Sequence, residues 1–154
     1  MRVTIIAVGR MKTGPERTLF DDYAARFRNV GRGIGFRAFV EIEIDAGGGL
    51  EREGERLLAK CPSPAKLIRL DEHGAQSPSV KFAADLTKLK DDGVADLVFL
   101  IGGAEGYSEQ VKSTVPDSLA LGPQTWPHKI VRVLLAEQLY RAATILSGSP
   151  YHKA

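Results

Sequence analysis

The chain is poor in the residues that most often mark covalent or metal chemistry. It has one cysteine, Cys61, among 154 residues, so no internal disulfide can form and a reducing cytoplasm fits. No base stands beside Cys61 in the sequence, which argues against a nucleophilic thiol. The three histidines, His73, His128 and His152, show no ligand spacing with it, so no metal site is expected. No apolar run reaches the roughly 18 residues of a spanning helix, and no membrane partner is expected. The segment Met1–Gly9 has an apolar stretch too short for a signal peptide. Arg10 and Lys12 stand where small residues should precede cleavage, so it reads as a buried first strand. The glycines at 47–49 lack the lysine and hydroxyl of a phosphate-binding loop. There is no repeat, low-complexity tract or linker. With 44% apolar and 26% charged residues, the composition is that of one globular domain over 1–154.

The net charge of +2 hides an asymmetry. Residues 1–40 carry Arg2, Arg10, Lys12, Arg17, Arg26, Arg28, Arg32 and Arg37 against Glu16, Asp21 and Asp22. Residues 41–60 reverse the balance, and the remainder is even. A basic first quarter suits nucleic-acid phosphate, although a solvated helix face gives the same composition.

Strand and helix patterns alternate throughout, which implies an α/β fold. Residues 2–8 are the first strand. Thr13-Gly14-Pro15-Glu16 opens a helix, with Leu19, Tyr23 and Phe27 as its apolar face. Residues 36–44 alternate at period two, as a half-exposed strand that is antiparallel or at an edge. A charged helix covers 51–60. Residues 65–70 form a buried strand ended by Asp71-Glu72-His73-Gly74. Ser77-Pro78 starts a helix that turns Val80, Ala83, Ala84 and Leu86 inward. Residues 96–101 are the central strand, 108–115 a short helix, 118–121 a short strand, and about 129–147 the longest helix. That last helix is apolar around much of its circumference, from Ile130 to Leu146. One apolar stripe is enough for a surface helix. The excess points to a second buried face, hence a homodimer, unless the helix is simply central to a monomer's core.

Two Gly/Pro loops follow apolar strands, so both fall at one edge of a parallel sheet, where open α/β folds bind ligands. The first is Gly102-Gly103-Ala104-Glu105-Gly106. Glycine lets a backbone approach a ligand closely; the position and spacing are wrong for a dinucleotide fingerprint. The second is Leu121-Gly122-Pro123-Gln124-Thr125-Trp126-Pro127. Its prolines fix φ, and Gln124 and Thr125 offer hydrogen bonds. Trp126 suits a ligand or base contact as well as core or interface packing. His128, just before the last helix, suits a general base or an RNA contact, or simply a residue at the helix N-terminus. The terminus Pro150-Tyr151-His152-Lys153 brings together groups that stack, handle a proton and meet phosphate.

Taken together these residues closely resemble the bacterial ribosomal RNA large-subunit methyltransferase H family (YbeA-like), a minimal branch of the SPOUT methyltransferases. The anchors are Val8-Gly9 with Lys12, Tyr23 and Arg26, Glu53-Gly54-Glu55, Leu70-Asp71, Ile101-Gly102-Gly103, Glu105-Gly106, Pro127-His128, Val131-Arg132-Val133, Glu137 to Ala142, and Pro150-Tyr151-His152. The likeness runs nearly end to end. It implies a SPOUT-type α/β knot, a mostly parallel sheet flanked by helices with a deep C-terminal trefoil knot. It also implies an obligate homodimer with shared active sites. S-adenosyl-L-methionine would lie among three loops, with Leu70, Gly102, Gly103, Gly122, Pro123, Gln124, Thr125, Trp126 and Pro127 as its contacts. The implied activity is methylation of N3 of a pseudouridine in large-subunit (23S) ribosomal RNA, in the assembled ribosome. The family usually has proline where Ala104 stands, leucine where Trp126 stands, and a larger polar residue at Ser149.

Such a reaction needs a proton acceptor for the imide nitrogen. His128 and His152 are both candidates, and the sequence leaves the choice open. Arg132 and Arg141 would stabilise the developing anion or bind phosphate, and Tyr151 would stack on the base. No metal is called for, because a sulfonium already activates the methyl group. Two other readings fit less of the sequence. One is a non-catalytic RNA- or ribosome-binding protein on the same fold. The other is an unrelated nucleotide or flavin binder.

Overall fold

The computed structural model describes residues 1–153. Among them the elements run β1 (Arg2–Val8), α1 (Pro15–Gly31), a 3-10 turn (Arg32–Ile34), β2 (Ala38–Ile44), α2 (Leu50–Ala59), β3 (Lys66–Gln76), α3 (Ser79–Asp91), β4 (Asp96–Ile101), α4 (Glu109–Thr114), β5 (Ser118–Ala120) and α5 (His128–Ser147). The strands form one sheet in the order β2-β1-β4-β3-β5, and every pairing is parallel. Parallel strands need crossovers, and the helices that supply them cover both faces of the sheet.

That double cover explains the sequence of the central strands. In β1 and β4, successive residues feed opposite cores. Val3, Ile5, Leu97 and Phe99 join the cluster that includes Phe20, Phe27, Phe82, Leu86, Leu135 and Leu139, contributed by α1, α3 and α5. Ile6, Val8, Val98 and Leu100 join Leu57 and Val111, contributed by α2 and α4. A near-continuous apolar run is the pattern of a strand buried on both faces.

Four details differ from the sequence expectation. The buried stripe of α1 is Phe20, Ala24, Phe27 and Gly31, while Leu19 is 46% exposed. Both stripes share Phe27, and the bulkier Phe20 turns to the sheet. In α3 the inward residues are Phe82, Ala83 and Leu86; Val80 and Ala84 are exposed. β2 is an edge strand, as expected, but it lies parallel to β1. Its glutamates do not face water. They share a face with Phe39 and are covered by arginines from α1 and α5, which is why a strand enclosed by helices reads as half-polar. Finally, β3 does not stop at Leu70. Leu70 and Ala75 both pair with Leu119, so Asp71–Gly74 bulge out of the strand before it resumes. Gly74 makes the bulge possible, since a Cβ there would lie 2.9 Å from the Leu119 nitrogen.

α5 buries Val133, Leu135, Ala136, Leu139, Ala142 and Ala143 and leaves Ile130, Val131, Leu134, Tyr140, Ile145 and Leu146 half-buried. It ends at Gly148, at φ 77°. There the Ser149 N–H donates to the Thr144 carbonyl and the Gly148 N–H to that of Ile145, a glycine-terminated C-cap that turns the tail back along the helix. No helix among the described residues is long and apolar enough to cross a membrane.

Candidate cofactor and active site

A cavity of about 740 Å³ opens outside the carboxyl ends of β3, β4 and β5. Small-molecule sites span roughly 300–1,000 Å³, and this edge of a parallel sheet is where such folds place them. Three segments wall it: the bulge from Leu70 to His73, the loop Gly102–Tyr107, and the stretch Gln124–His128 with Val131 beyond it. Ile101, Leu119 and Leu121 give an apolar floor, and Asp71, Glu72 and Glu105 give a carboxylate rim. The bulge and the third loop are tied together by the Thr125 hydroxyl, which donates to Glu72.

The glycine loop is shaped by its own backbone. A Cβ on Gly102 would lie 2.8 Å from the Gly106 carbonyl oxygen, so the turn closes only without a side chain there. Tyr107 then returns under the loop and is 8% exposed. Its hydroxyl approaches the carbonyls of Leu70 (2.6 Å) and Leu100 (2.9 Å) and accepts the Gly102 N–H (3.1 Å). A phenol has one proton, so the two carbonyls share it. Burial pushes this phenol well above its ordinary range, which keeps it a neutral donor.

His128 is the first residue of α5 and lines the cavity. Burial, then the charges of Arg132 and Lys129, hold its imidazole below the ordinary value of 6.5. At neutral pH it carries a free lone pair.

Arg132 is not an anion-binding group here. It is 1% exposed, and its Nη1 donates to Glu41 (2.7 Å) and Glu43 (2.5 Å) while Nη2 reaches the Gly9 carbonyl (3.3 Å). Arg17 pairs with the same two carboxylates, and Glu43 also accepts the Met11 N–H at 2.7 Å. Burial opposes ionisation of Glu43, yet the Met11 N–H and the two guanidiniums hold it below the usual carboxylate range. This cluster clamps the start of α5 to the segment after β1.

The tail forms a second cluster. Tyr151 packs tilted against Tyr140 with ring centres 4.6 Å apart, and Tyr140 against Tyr23 at 6.2 Å. The Tyr151 hydroxyl donates to Glu137 at 2.9 Å. Burial and that carboxylate push its phenol well upward. Arg141 lies over the Tyr151 ring, 4.8 Å from its centre, holds Glu137 through Nε and Nη2, and directs Nη1 at His152 Nδ1, 3.1 Å away.

Most of the expected residues therefore fall into two groups. Leu70, Gly102, Gly103, Gln124, Thr125, Trp126, Pro127 and His128 all wall the cavity. Gly122 lies on a neighbouring groove that shares Trp126, and Pro123 lines neither. Arg141, Tyr151 and His152 stand together but away from the cavity; thirteen residues along α5 is about 20 Å at 1.5 Å per residue. Sequence reasoning missed Tyr107. Its signal was an aromatic residue closing a glycine loop, which says nothing of the three backbone groups it would meet.

A parallel sheet with such a cavity at its carboxyl edge is in the class of open α/β proteins that bind small molecules there. The model of the family described as "Predicted SPOUT methyltransferase" matches residues 1–152. The chain is 56% identical over 154 residues to the ribosomal RNA large subunit methyltransferase H of Hyphomonas neptunium, covering 100% of both chains. It is 47% identical over 159 residues to the protein of that name from Nitrobacter winogradskyi, covering 99% of each. Among solved structures, a probable methylase family protein from Haemophilus influenzae Rd KW20 aligns with a TM-score of 0.50 at 10% identity, over 99% of this chain and 70% of that one; this likeness is one of fold alone. The chain belongs to the SPOUT methyltransferases and, within them, to the ribosomal RNA large subunit methyltransferase H family.

Proposed function

We propose that the chain methylates N3 of a pseudouridine in large-subunit ribosomal RNA, using S-adenosylmethionine. The observation that carries this reading is the carboxyl-edge cavity, walled by the glycine loop and the His128 loop, in a chain that matches the methyltransferase H relatives over its whole length. The cavity fits the cofactor. The glycine turn at Gly102 admits close backbone approach, the floor is apolar, and the Asp71, Glu72 and Glu105 rim suits a cationic ligand. When bound, S-adenosylmethionine supplies a methyl group whose bond to sulfur breaks as the bond to N3 forms, the electron pair leaving on a neutral thioether.

The protein's own part is to position the base, take the N3 proton and stabilise the charge that develops. Of the groups that would do some of this, Arg141 lies about 20 Å along α5 from His128, and Tyr151 and His152 sit beside it. The working unit is therefore a homodimer in which one subunit's Arg141, Tyr151 and His152 complete the partner's cavity. The half-buried face of α5 and exposed Leu19 support that pairing. The same reading takes 1–154 as one domain whose carboxyl-terminal path is a trefoil knot. It places the protein in the cytoplasm and makes the assembled ribosomal subunit the substrate.

The test combines calorimetry with S-adenosylmethionine and methyl transfer to purified large subunits or ribosomes, for the wild type and a variant lacking residues 150–154. Saturable cofactor binding in both, with turnover lost only in the shortened chain, is the expected result. A wild type that binds no cofactor, or a shortened chain with full turnover, overturns the reading.

A further inference from the structure

We propose that Arg141 holds His152 as its Nε2–H tautomer, so that His152 enters the reaction as a hydrogen-bond donor and His128 is the proton acceptor. The inference rests on the functional reading above and assigns roles within it.

It starts from one contact, Arg141 Nη1 to His152 Nδ1 at 3.1 Å. A guanidinium has five N–H donors and no lone pair, so Nδ1 must be the acceptor. A neutral imidazole carries one proton, which then sits on Nε2. Such a ring has no lone pair left for a substrate proton, but it does present an N–H.

The contact is held from both sides. Arg141 Nε and Nη2 are bound to Glu137 at 3.0 and 2.5 Å, and Glu137 also accepts from the Tyr151 hydroxyl and from Gln138 Nε2. The planar guanidinium fork therefore cannot turn from His152 without releasing its carboxylate. The groups around the tail are Glu137 and Arg141 on α5, Tyr151 itself, and Tyr23 and Arg26 from α1. Arg141 is a positioning residue that acts through His152.

His128 is placed for the complementary role. It lines the cavity, with Lys129 and Arg132 on its own helix and Asp71, Glu72, His73, Glu105 and Lys112 on the other walls. Its proton affinity is lowered, as described above, so its lone pair is free at neutral pH. The N3 proton passes to His128 and thence to water. The negative charge that spreads onto the imide carbonyls is met by the His152 Nε2–H of the partner subunit.

Two measurements on the full-length protein test this. Long-range proton–nitrogen NMR of ¹⁵N-histidine protein, assigned with His152→Gln, should show His152 as the Nε2–H tautomer in the wild type and a mixture in Arg141→Met. The pH dependence of kcat/KM for ribosome methylation should separate the histidines. His152→Ala should lose about 10²–10³ in turnover, the usual effect of removing one stabilising donor. His152→Gln, which keeps an N–H near the Nε2 position, should recover most of it and retain the wild-type acidic limb. An Nδ1–H tautomer in the wild type, or loss of the acidic limb in His152→Gln, overturns the proposal. A wild type without cofactor binding or methyl transfer overturns the functional reading instead, and the NMR measurement still decides the Arg141–His152 relationship.

Discussion

The Tyr107 hydroxyl lies 2.6 Å from the Leu70 carbonyl oxygen, in the buried floor of the cavity. Leu70 precedes the bulge and Gly102 opens the glycine loop, so one phenol joins two of the three walls. Tyr107→Phe keeps the ring and removes that joint. The Gly102 N–H and the Leu70 carbonyl then lose a buried partner, which costs about 1–3 kcal/mol. Urea unfolding should show that loss. Calorimetry well below the melting range should show S-adenosylmethionine binding weakened about tenfold, equivalent to roughly 1.4 kcal/mol. Loss of stability with unchanged affinity would mean that the joint serves only the fold.

Gly54→Ala should destabilise the protein, against the usual sign. In a helix interior this change is ordinarily worth up to ~1 kcal/mol of stability. Here the new Cβ would lie 2.6 Å from Ser108 Oγ and 2.9 Å from Val111 Cγ2. Ser108 caps α4 by accepting the Val111 N–H, so swinging its hydroxyl aside gives up a cap worth about 1 kcal/mol. Overpacking adds about 1–3 kcal/mol. Denaturant midpoints should fall; a midpoint at or above wild type would show that α2 and α4 slide apart freely.

The clamp at the start of α5 gives a third prediction. Arg132→Met removes one of the two guanidiniums on Glu41 and Glu43 and leaves Arg17 in place, so the cost should fall below the roughly 3–5 kcal/mol of breaking a buried pair outright but above that of an exposed pair. Arg10→Ala breaks an exposed pair with Asp45 and should cost less than ~1 kcal/mol. The pH dependence follows from Glu43. Its folded-state value lies below 4.5, so its contribution is full above that value. It is lost as pH falls through the lower, folded-state value. The wild-type advantage over Glu43→Gln should shrink with acid in that window. An advantage that persists there would show that Glu43 contributes by packing alone.

These three sites also show what the sequence disclosed and what it withheld. Apolar runs ending in glycine or proline disclosed the central strands and the two loops behind them, because a strand buried on both faces and a turn without side chains both write local patterns. Leu70, Gly102 and His128 were legible on that ground. The links from Tyr107 to Leu70 and from Arg132 to Glu41 were not, because those partners lie 37 and 91 residues away. The cover over β2 was not legible for the same reason. Glu41 and Glu43 look like a solvent face until Arg17 and Arg132 arrive from two helices. The tail was legible as chemistry, but its distance from His128 was not, since it depends on the straight run of α5.

The chain's one tryptophan makes the cavity directly observable. Trp126 is 40% exposed, lines the cavity and donates its indole N–H to the Leu121 carbonyl at 3.0 Å. That bond fixes the ring at the boundary with the neighbouring groove. A ligand entering the cavity displaces water from the indole face. S-adenosylmethionine should therefore change Trp126 emission saturably, with the same Kd as calorimetry gives. Trp126→Leu removes the signal and the large apolar ring together. Because Leu121 and Val131 still line the site, binding should weaken by less than about tenfold, or roughly 1.4 kcal/mol. Calorimetric binding with no change in wild-type emission would place the ligand away from the indole, on the Asp71–His73 side of the cavity.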